Sequence, residues 1–389
     1  MTKCQLIDTV DLAAALVDKP REAPYSRYMA YESLGKLREP VRARVYKTLA
    51  DLLRTDDGRR IAADSLNGIV PNADGQPVIP PVSDQPYAEI GVIDQAAAPP
   101  RHAPVFITGR FRSGSTLIWN FFRNVAGCTS FYEPLNERQW FDPRARGDRV
   151  DSTHLGVEDY WREYEGLEHL GRWYRPDWID RNLYMPARYW DPNLVAYIQN
   201  LIEAAPARAV LQFNRVDFRV PWLRNNFPTA RLIHIYRHPR DQWCSALAGD
   251  SFPLNGTVAD FAAHDHFYLL AWAKDLAYQF PFLDPRSAEH PYDLFYLIWE
   301  MSYRFGKHYA DASFSLEMLS ASPGGEIPRL MAAAGVDTYD LAALTGLIVP
   351  QNSKWRRYAA PEWFASREAR CQQILSRFVQ TGSWPTTTA

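Results

Sequence analysis

Short apolar runs alternate with amphipathic stretches along most of the chain, and this alternation predicts strands separated by helices. Buried strands are predicted at 104–108 (PVFIT), 209–213 (AVLQF) and 231–236 (RLIHIY), because these runs are almost continuously apolar and end at turn residues. After the first run, apolar residues recur on one helical stripe: Leu117, Ile118, Phe121, Phe122 and Val125. Strands that alternate with helices predict an α/β fold, with a parallel sheet covered by helices on both faces.

The same spacing arguments predict the remaining elements of this sheet and its cover. Helices are expected over 194–205, 220–227, 261–280, 294–309 and 327–334, and one more begins in the run RHPRDQWCSALA. Further short strands are expected at TSFY and over 313–316.

The N-terminal quarter has a different pattern. Apolar residues at near-helical spacing predict a helix over 25–55, and the Pro-, Gly- and Asp-rich stretch over 56–102 predicts a long surface connector. The expected organisation is therefore an N-terminal helical extension with its connector over residues 1–100, followed by an α/β domain over 101–389. Within that domain, residues 142–192 form an irregular insert rich in aromatic side chains.

Composition narrows the class of protein. Of 389 residues, 47% are hydrophobic, which suits a packed core, and the net charge of -2 gives no general attraction to nucleic acids or anionic membranes. No apolar run approaches 18 residues, no signal peptide is evident, and the four cysteines have neither paired nor metal-like spacing. We expect a cytoplasmic protein with no membrane span, and the oligomeric state stays open.

The first predicted strand runs into a glycine-rich loop, VFITGRFRSGST. Gly109 and Gly114 have the spacing of a phosphate-binding loop, and Thr116 supplies its hydroxyl, but Ser115 stands where the nucleotide-triphosphate loop has lysine. A strand, a glycine loop and a helix together predict an anion cradle, because backbone N–H groups and the helix dipole converge there. Ser113 adds a hydroxyl donor, and Arg112 supplies the positive charge.

A second basic motif follows the strand RLIHIY. Nucleotide-triphosphate hydrolases place a Mg²⁺-binding Asp after such a strand, whereas this chain has Arg237 and His238. Arg237 and Ser245, eight residues further on, can meet one anion, which indicates direct charge pairing with a second phosphate and no metal. The alternative for Arg237 is an ordinary salt bridge to Asp241.

Together, GRFRSGST and YRHPRDQWCS resemble the two nucleotide motifs of the sulfotransferases that use 3′-phosphoadenosine-5′-phosphosulfate (PAPS). The resemblance runs from about residue 104 to the C-terminus, with a gap in the aromatic insert. The arginine form of the loop is similar to the carbohydrate and bacterial branches of the family. By this resemblance the 5′ end of the nucleotide is bound by Arg112, Ser113, Gly114, Ser115 and Thr116, whereas Arg237 and Ser245 bind the 3′-phosphate.

Two later segments, SLEML and NSKWRRY, also resemble landmarks of that family. The second would close over the nucleotide and bring Arg356 or Arg357 near a phosphate, although a basic surface turn explains the same residues.

Transfer to a hydroxyl needs a group that takes the hydroxyl proton. Glu133, in TSFYEPLNE, precedes a proline and is expected in a loop facing the cradle, so it is our candidate base, with a solvated or salt-bridged loop acid as the alternative. Related enzymes often carry a lysine near the second strand, but the aligned stretch LQFNR has Gln212, so Arg215 or Arg112 would have to supply that charge.

The sequence therefore predicts sulfuryl transfer from PAPS to an acceptor hydroxyl, of a carbohydrate or glycolipid, with Glu133 and Arg112 as catalytic residues and no metal. A P-loop kinase using ATP and Mg²⁺ and a catalytically silent nucleotide-binding protein are the alternatives. The aromatic insert suits recognition of a sugar and core packing equally well. His264 and His266 lie two apart, which on a helix points them away from each other, so they are expected to be structural or surface residues.

Overall fold

The computed structural model describes residues 103–381 apart from 152–153, 250 and 350–352, together with four helical positions nearer the N-terminus (44, 47, 48 and 51). The predicted helix over 25–55 otherwise lies outside the described residues, as does the predicted connector. The residues from 103 onward all belong to one compact unit.

Five parallel strands form the central sheet of this unit, in the order β2-β3-β1-β4-β5. Their bounds are Val105–Thr108 (β1), Cys128–Tyr132 (β2), Arg208–Phe213 (β3), Arg231–Tyr236 (β4) and Ala312–Ser315 (β5). β1 is central, and its Ile107 pairs with Gln212 of β3 and with Ile233 of β4. The predicted α/β architecture and each of its predicted strands are confirmed, with bounds shifted by a residue or so.

Helices cover both faces of the sheet because the strands bury successive side chains on opposite sides. Val105 and Ile107 belong to one hydrophobic cluster, whereas Phe106 between them belongs to the other. The helices are α1 (Ser115–Arg123), α2 (Pro192–Ala204), α3 (Val220–Asn226), α4 (Pro239–Ala246), α5 (Leu269–Leu276), α6 (Pro291–Tyr309), α7 (Leu316–Ala321), α8 (Pro323–Ala334), α9 (Leu341–Thr345), α10 (Trp355–Tyr358) and α11 (Pro361–Thr381). Short 3-10 turns occupy Arg162–Tyr164, Glu168–Arg172, Pro176–Ile179, Ala259–His264, Pro281–Leu283 and Pro285–Ser287. Among the described ranges, none of the helices combines the length and apolar character that a membrane crossing requires.

The prediction of one long helix over 261–280 is wrong. A 3-10 turn ends at His264, and the Asp265 carboxylate then accepts hydrogen bonds from the backbone N–H groups of Leu269 and Leu270, at 2.7 and 2.8 Å. Tyr268 has a left-handed φ of 61°, which breaks the helical path just before α5. A side-chain carboxylate that binds free backbone donors thus starts a new helix inside an apolar pattern that favours a continuous one.

Helix α11 was not predicted, although its apolar stripe is readable. Phe364, Cys371, Leu375 and Phe378 are its buried residues, and their spacing places them on one face. The high content of charged and polar residues between them conceals the stripe in the sequence.

The aromatic insert packs mainly in the core. Tyr160, Tyr164, Tyr174 and Trp178 are each at most 5% exposed and belong to the larger hydrophobic cluster. Of the two explanations for its composition, core packing accounts for these rings.

Candidate functional site

The predicted functional residues gather at one edge of the sheet. In a parallel sheet the carboxyl ends of all strands lie at the same edge, and ligands bind where the connections leave in opposite directions. The chain leaves β1 for β2 on one side, whereas β4 lies on the other side of β1. The glycine loop follows β1 at this point, with Glu133 after β2 and Arg237 after β4.

The two loop glycines have separate structural causes. A Cβ on Gly109 would lie 2.6 Å from the carbonyl oxygen of Ile235, so only glycine lets the loop pass β4 this closely. Gly114 precedes α1 with a left-handed φ of 94°, and a Cβ there would lie 2.6 Å from the Leu316 side chain. Because no side chain caps α1, its first N–H groups point from the helix end without an intrahelical partner. Such an end favours a bound anion.

Arg112, Arg237 and Ser245 form what we call the basic cluster. The Arg112 Nε donates to the Ser245 hydroxyl at 3.0 Å, and the Arg237 Nη1 donates to the Arg112 backbone carbonyl at 3.4 Å. Residues expected at opposite ends of a nucleotide therefore lie in direct contact. Arg112 also lies 3.8 Å from the Asp151 carboxylate, and its side chain is 31% exposed.

Nearby acidic side chains change the pKa of Arg237, the second arginine of this cluster. Burial lowers the pKa of Arg237, while the nearby Glu317 and Asp241 carboxylates raise it in part. The Asp241 carboxylate also accepts a hydrogen bond from the backbone N–H of Lys354 at 2.8 Å, so it interacts with both Arg237 and the segment around α10. The guanidinium of Arg237 is half-buried, and its charged N–H donors lie beside the glycine loop.

The segment around α10 docks on the first turn of α4, beside the basic cluster. Besides the Asp241 contact, the Trp355 ring stacks on His238 with centroids 6.0 Å apart and lies 4.7 Å from the Arg240 guanidinium. Arg356 stacks on Trp355 at 4.4 Å, and both Arg356 and Arg357 are exposed. The structure thus brings this segment to α4, as a closing loop requires, while its two arginines lie on the surface.

Glu133 lies in a buried polar network at the end of β2. Its two oxygens accept hydrogen bonds from Asn214 Nδ2, from Asn136 Nδ2 at 2.5 Å and from Arg215 Nη1 at 3.3 Å. Glu133 is 6% exposed and has a φ of 38°, which is uncommon for a residue with a side chain. Backbone strain of this kind is concentrated at functional sites. A solvated loop acid does not fit this burial, whereas the ion pair with Arg215 at 3.3 Å fits the salt-bridged acid considered above, so the role of Glu133 as base stays a prediction.

Asn214 joins that network to the glycine loop. Its Oδ1 accepts from the Ser115 hydroxyl at 2.8 Å and from Gln212 Nε2 at 2.6 Å. Sequence reasoning missed Asn214 and Asn136, although an amide directly after a buried strand is a signal that points to this edge. Gln212, where we expected lysine, is fully buried and belongs to the same network.

Arg215 forms ion pairs with two carboxylates next to the glycine loop. Besides Glu133, it pairs with Glu137 at 2.5 Å, and its guanidinium lies 4.9 Å from the Phe111 ring. Burial works to lower the pKa of Arg215, but Glu133 and Glu137 outweigh it and the net shift is upward. Two carboxylates therefore neutralise this charge, which leaves Arg112 as the more exposed of the two cations proposed to replace lysine.

The remaining loop residues are held by neighbours. The Thr116 hydroxyl lies 3.1 Å from the Tyr132 phenol, whose pKa is raised by burial and by the adjacent Glu133 carboxylate. Ser113 is fully buried at the turn, where its N–H donates to the Arg110 carbonyl at 3.1 Å. Among the described residues, no group of three or more His, Cys, Asp and Glu side chains is arranged to hold a metal ion.

A glycine loop before a helix, at the switch point of a parallel sheet, defines an α/β protein of the P-loop type. Residues 104–294 match the family model described as the sulfotransferase family. This segment contains the loop, Glu133 and the basic cluster, so the part of the chain that carries the candidate site is similar to the sulfotransferase family. No curated protein matches the chain significantly.

Three solved structures are similar at low identity. A sulfotransferase from Alicyclobacillus acidocaldarius is 14% identical, with 72% of this chain and 96% of that chain covered and a TM-score of 0.33. Sulfotransferase STF9 from Mycobacterium avium is 14% identical, with coverages of 90% and 88% and a TM-score of 0.37. The sulfotransferase domain of the Synechococcus PCC 7002 olefin synthase is 16% identical, with coverages of 77% and 100% and a TM-score of 0.31. At these TM-scores the fold rests on the strand order and the family match, and not on the three neighbours.

Proposed function

We propose that this protein transfers a sulfuryl group from PAPS to the hydroxyl group of an acceptor, without a metal ion. The observation that carries the proposal is the basic cluster. The strand after which a nucleotide-triphosphate hydrolase places its metal-binding acid is followed here by Arg237, which contacts the glycine loop through the Arg112 carbonyl.

The cluster supports binding of a nucleotide with phosphates at both the 3′ and 5′ positions. The N–H groups at the start of α1, with Gly109, Ser113, Gly114, Ser115 and Thr116 around them, would hold the 5′-phosphosulfate. Arg237 and Ser245 would hold the 3′-phosphate, with Arg356 or Arg357 closing over the nucleotide. The hydrogen bond from Arg112 to Ser245 supports the proposal that the Arg112 guanidinium would contact both phosphate groups.

The chemical step needs a base and a stabilised leaving group. Besides the donors from Asn214, Asn136 and Arg215, the Tyr132 phenol is hydrogen-bonded to Glu133. These contacts occupy the roughly four lone-pair sites of an ionised carboxylate, so an acceptor hydroxyl would have to displace one of them to give its proton to Glu133. As that proton moves to Glu133, the acceptor oxygen forms a bond to sulfur in line with the bond to the 5′-phosphate, which breaks. Arg112 and the loop amides would stabilise the charge that develops on the leaving phosphate.

The acceptor class follows less directly. Since the rings of the insert pack mainly in the core, they no longer argue for a sugar over a phenol. We retain a carbohydrate or glycolipid hydroxyl as the proposed acceptor and include phenols in its test.

A kinase using ATP and Mg²⁺ is disfavoured by two contacts. Ser115, at the lysine position, donates its hydroxyl to Asn214, and Arg237 stands where an acid would bind the metal. A catalytically silent nucleotide-binding protein is the other alternative, since Gln212 replaces the expected lysine.

One experiment separates the three. The protein is incubated with ³⁵S-labelled PAPS or γ-³²P-ATP and a panel of glycans and phenols, with and without EDTA. Sulfate transfer that survives EDTA supports the proposal, and EDTA-sensitive phosphate transfer supports the kinase. Tight binding of 3′-phosphoadenosine-5′-phosphate without turnover by any acceptor would support the silent protein.

We also propose residues 101–389 as the catalytic domain, 1–100 as its N-terminal extension and the cytoplasm as its location. The location is supported by Cys128, Cys244 and Cys371, which are free thiols.

A further inference from the structure

The side chain of Gln212 is buried between the glycine loop and the base network. Gln212 lies on β3, between Ile107 of β1 and Tyr132 of β2, and is completely shielded from solvent. Its Nε2 donates to the Asn214 Oδ1 at 2.6 Å, while its own Oε1 has no hydrogen-bond partner in the described part of the chain. A buried acceptor without a partner is costly, so the residue is not explained by stability alone.

The hydrogen bonds around Asn214 have a direction that Glu133 sets and Gln212 supports. An ionised carboxylate only accepts, so the Asn214 amide nitrogen must face Glu133, as it does. The Asn214 oxygen must then face donors, and the two donors are the Ser115 hydroxyl and the Gln212 amide. A rotated Asn214 would set its oxygen against the carboxylate and its NH₂ against the NH₂ of Gln212. With its Nε2 facing Asn214, as in the structure, Gln212 therefore disfavours the wrong orientation.

We propose that Gln212 is a positioning residue: through Asn214 it fixes the Glu133 carboxylate relative to the Ser115 hydroxyl of the glycine loop. The catalytic meaning of this inference rests on the proposed sulfuryl transfer, whereas the orientation itself does not. Position 212 then carries an amide because the site needs a donor of fixed direction there.

The test is a double-mutant cycle of Gln212→Met and Asn214→Ala. Methionine keeps the length of glutamine and removes the unpartnered Oε1, so the variant should fold. Because small misplacements of catalytic groups cost up to about 100-fold, we expect kcat to fall roughly 10- to 100-fold. The dissociation constant for 3′-phosphoadenosine-5′-phosphate should be unchanged, since Gln212 contacts no proposed phosphate ligand except through Asn214.

In the Asn214→Ala background, Gln212→Met should cost little further, because residues that act through one another are not additive. Gln242→Met is the matched control. Gln242 is 1% exposed and donates to the Phe111 carbonyl at 2.7 Å. The loss of kcat in Gln242→Met should therefore be additive with the loss in Asn214→Ala. If the losses from Gln212→Met and Asn214→Ala are also additive, the inference is overturned.

Crystal structures and unfolding free energies of the same variants give readouts that need no turnover. We expect Glu133 and Asn214 to shift in Gln212→Met, and Gln212→Glu, which presents only acceptors when ionised, to lose the bond to the Asn214 Oδ1 and displace the Asn214 side chain. Unmoved Glu133 and Asn214 side chains in both variants would overturn the positioning role. If the effects of Gln212→Met and Asn214→Ala on the unfolding free energy are non-additive but the protein transfers no sulfate, the orientation of Asn214 would be supported and the proposed function rejected.

Discussion

Replacing Arg237 with alanine tests whether the second motif recognises a 3′-phosphate. The guanidinium of Arg237 is half-buried and, among the described residues, donates a long hydrogen bond of 3.4 Å to the Arg112 carbonyl. Arg237→Ala therefore removes a charged donor from the site and breaks little that holds the fold. The Trp299 bond to residue 237 is to its backbone carbonyl and remains.

The magnitude follows from the hydrogen bonds that a phosphate would receive. A hydrogen bond to a charged group is worth about 1.5–3 kcal/mol, and each 1.4 kcal/mol is a factor of ten in affinity. Loss of one such bond should weaken 3′-phosphoadenosine-5′-phosphate about 10- to 150-fold. The nearby Glu317 and Asp241 carboxylates, which raise the pKa of Arg237, would then face the phosphate with less compensation, so the larger value is expected.

The assay compares two nucleotides by calorimetric titration. Adenosine 5′-monophosphate lacks the 3′-phosphate, so Arg237→Ala should hardly change its affinity, and the preference for the 3′-phosphorylated nucleotide should collapse. Arg240→Ala is the matched control, because Arg240 lies three residues further on, in the first turn of α4, and pairs with Glu368 at 2.7 Å. That control should keep the preference.

Equal weakening of both nucleotides by Arg237→Ala would refute the reasoning. Arg237 would then act only by supporting the glycine loop through the Arg112 carbonyl. A requirement for Mg²⁺ in wild-type binding would contradict direct pairing of arginine and phosphate.

Three further predictions concern the base, the loop and the core. Glu133→Gln should lower kcat by about 10²- to 10⁴-fold in the sulfate-transfer assay, with nucleotide affinity retained. Glu137→Gln changes the other carboxylate that pairs with Arg215, and its kcat should stay near the wild-type value. Equal losses of kcat in the two variants would show that Glu133 is not the base. Gly114→Ala should destabilise the fold by about 1–3 kcal/mol in urea unfolding, because it forces a side chain into a left-handed φ and against a neighbour. Gly127→Ala has a φ of 85° but nothing within 4 Å, so it should cost less, and a reversed order would contradict the packing argument. Burial lowers the pKa of His234 to about 3, below its value near 6.5 in the unfolded chain. Between these two pH values the unfolded chain binds more protons than the folded one, so the folded protein loses stability as the pH falls from about 6.5 to about 3. In His234→Gln the slope of unfolding free energy against pH should be shallower there by up to about 1.4 kcal/mol per pH unit, and an unchanged slope would reject the assignment.

The sheet and the glycine loop could be predicted because their signals are local. A short apolar run, two glycines at fixed spacing and an amphipathic stripe lie within twenty-odd residues of one another, and each has a physical cause visible in the structure. The helix over 261–280 failed for the opposite reason. Its apolar spacing is helical, but one carboxylate, Asp265, binds the backbone donors that a continuous helix would have used.

The site itself could be predicted only in part, because its contacts join distant segments. The sequence supplies Glu133 through its place after a strand, yet nothing near it shows that Asn214 will bind it. That contact exists because β2 and β3 are neighbours with Tyr132 opposite Gln212, so the residues just beyond their ends meet. Register between strands decides which loop residues touch, and register is a property of the sheet.

The Arg112–Ser245 bond changes how the two motifs must be understood. Resemblance assigns Arg112 to one end of the nucleotide and Ser245 to the other, as if the motifs were independent sites. In the structure the first motif reaches the second through this side chain, and the second returns to the first through the Arg237 bond to the loop carbonyl. The two contacts run in opposite directions, so neither motif can move without disturbing the other. In the proposed function, one charged cluster would thus set the spacing between two phosphates, and that spacing, more than either motif alone, would select a nucleotide phosphorylated at both ends.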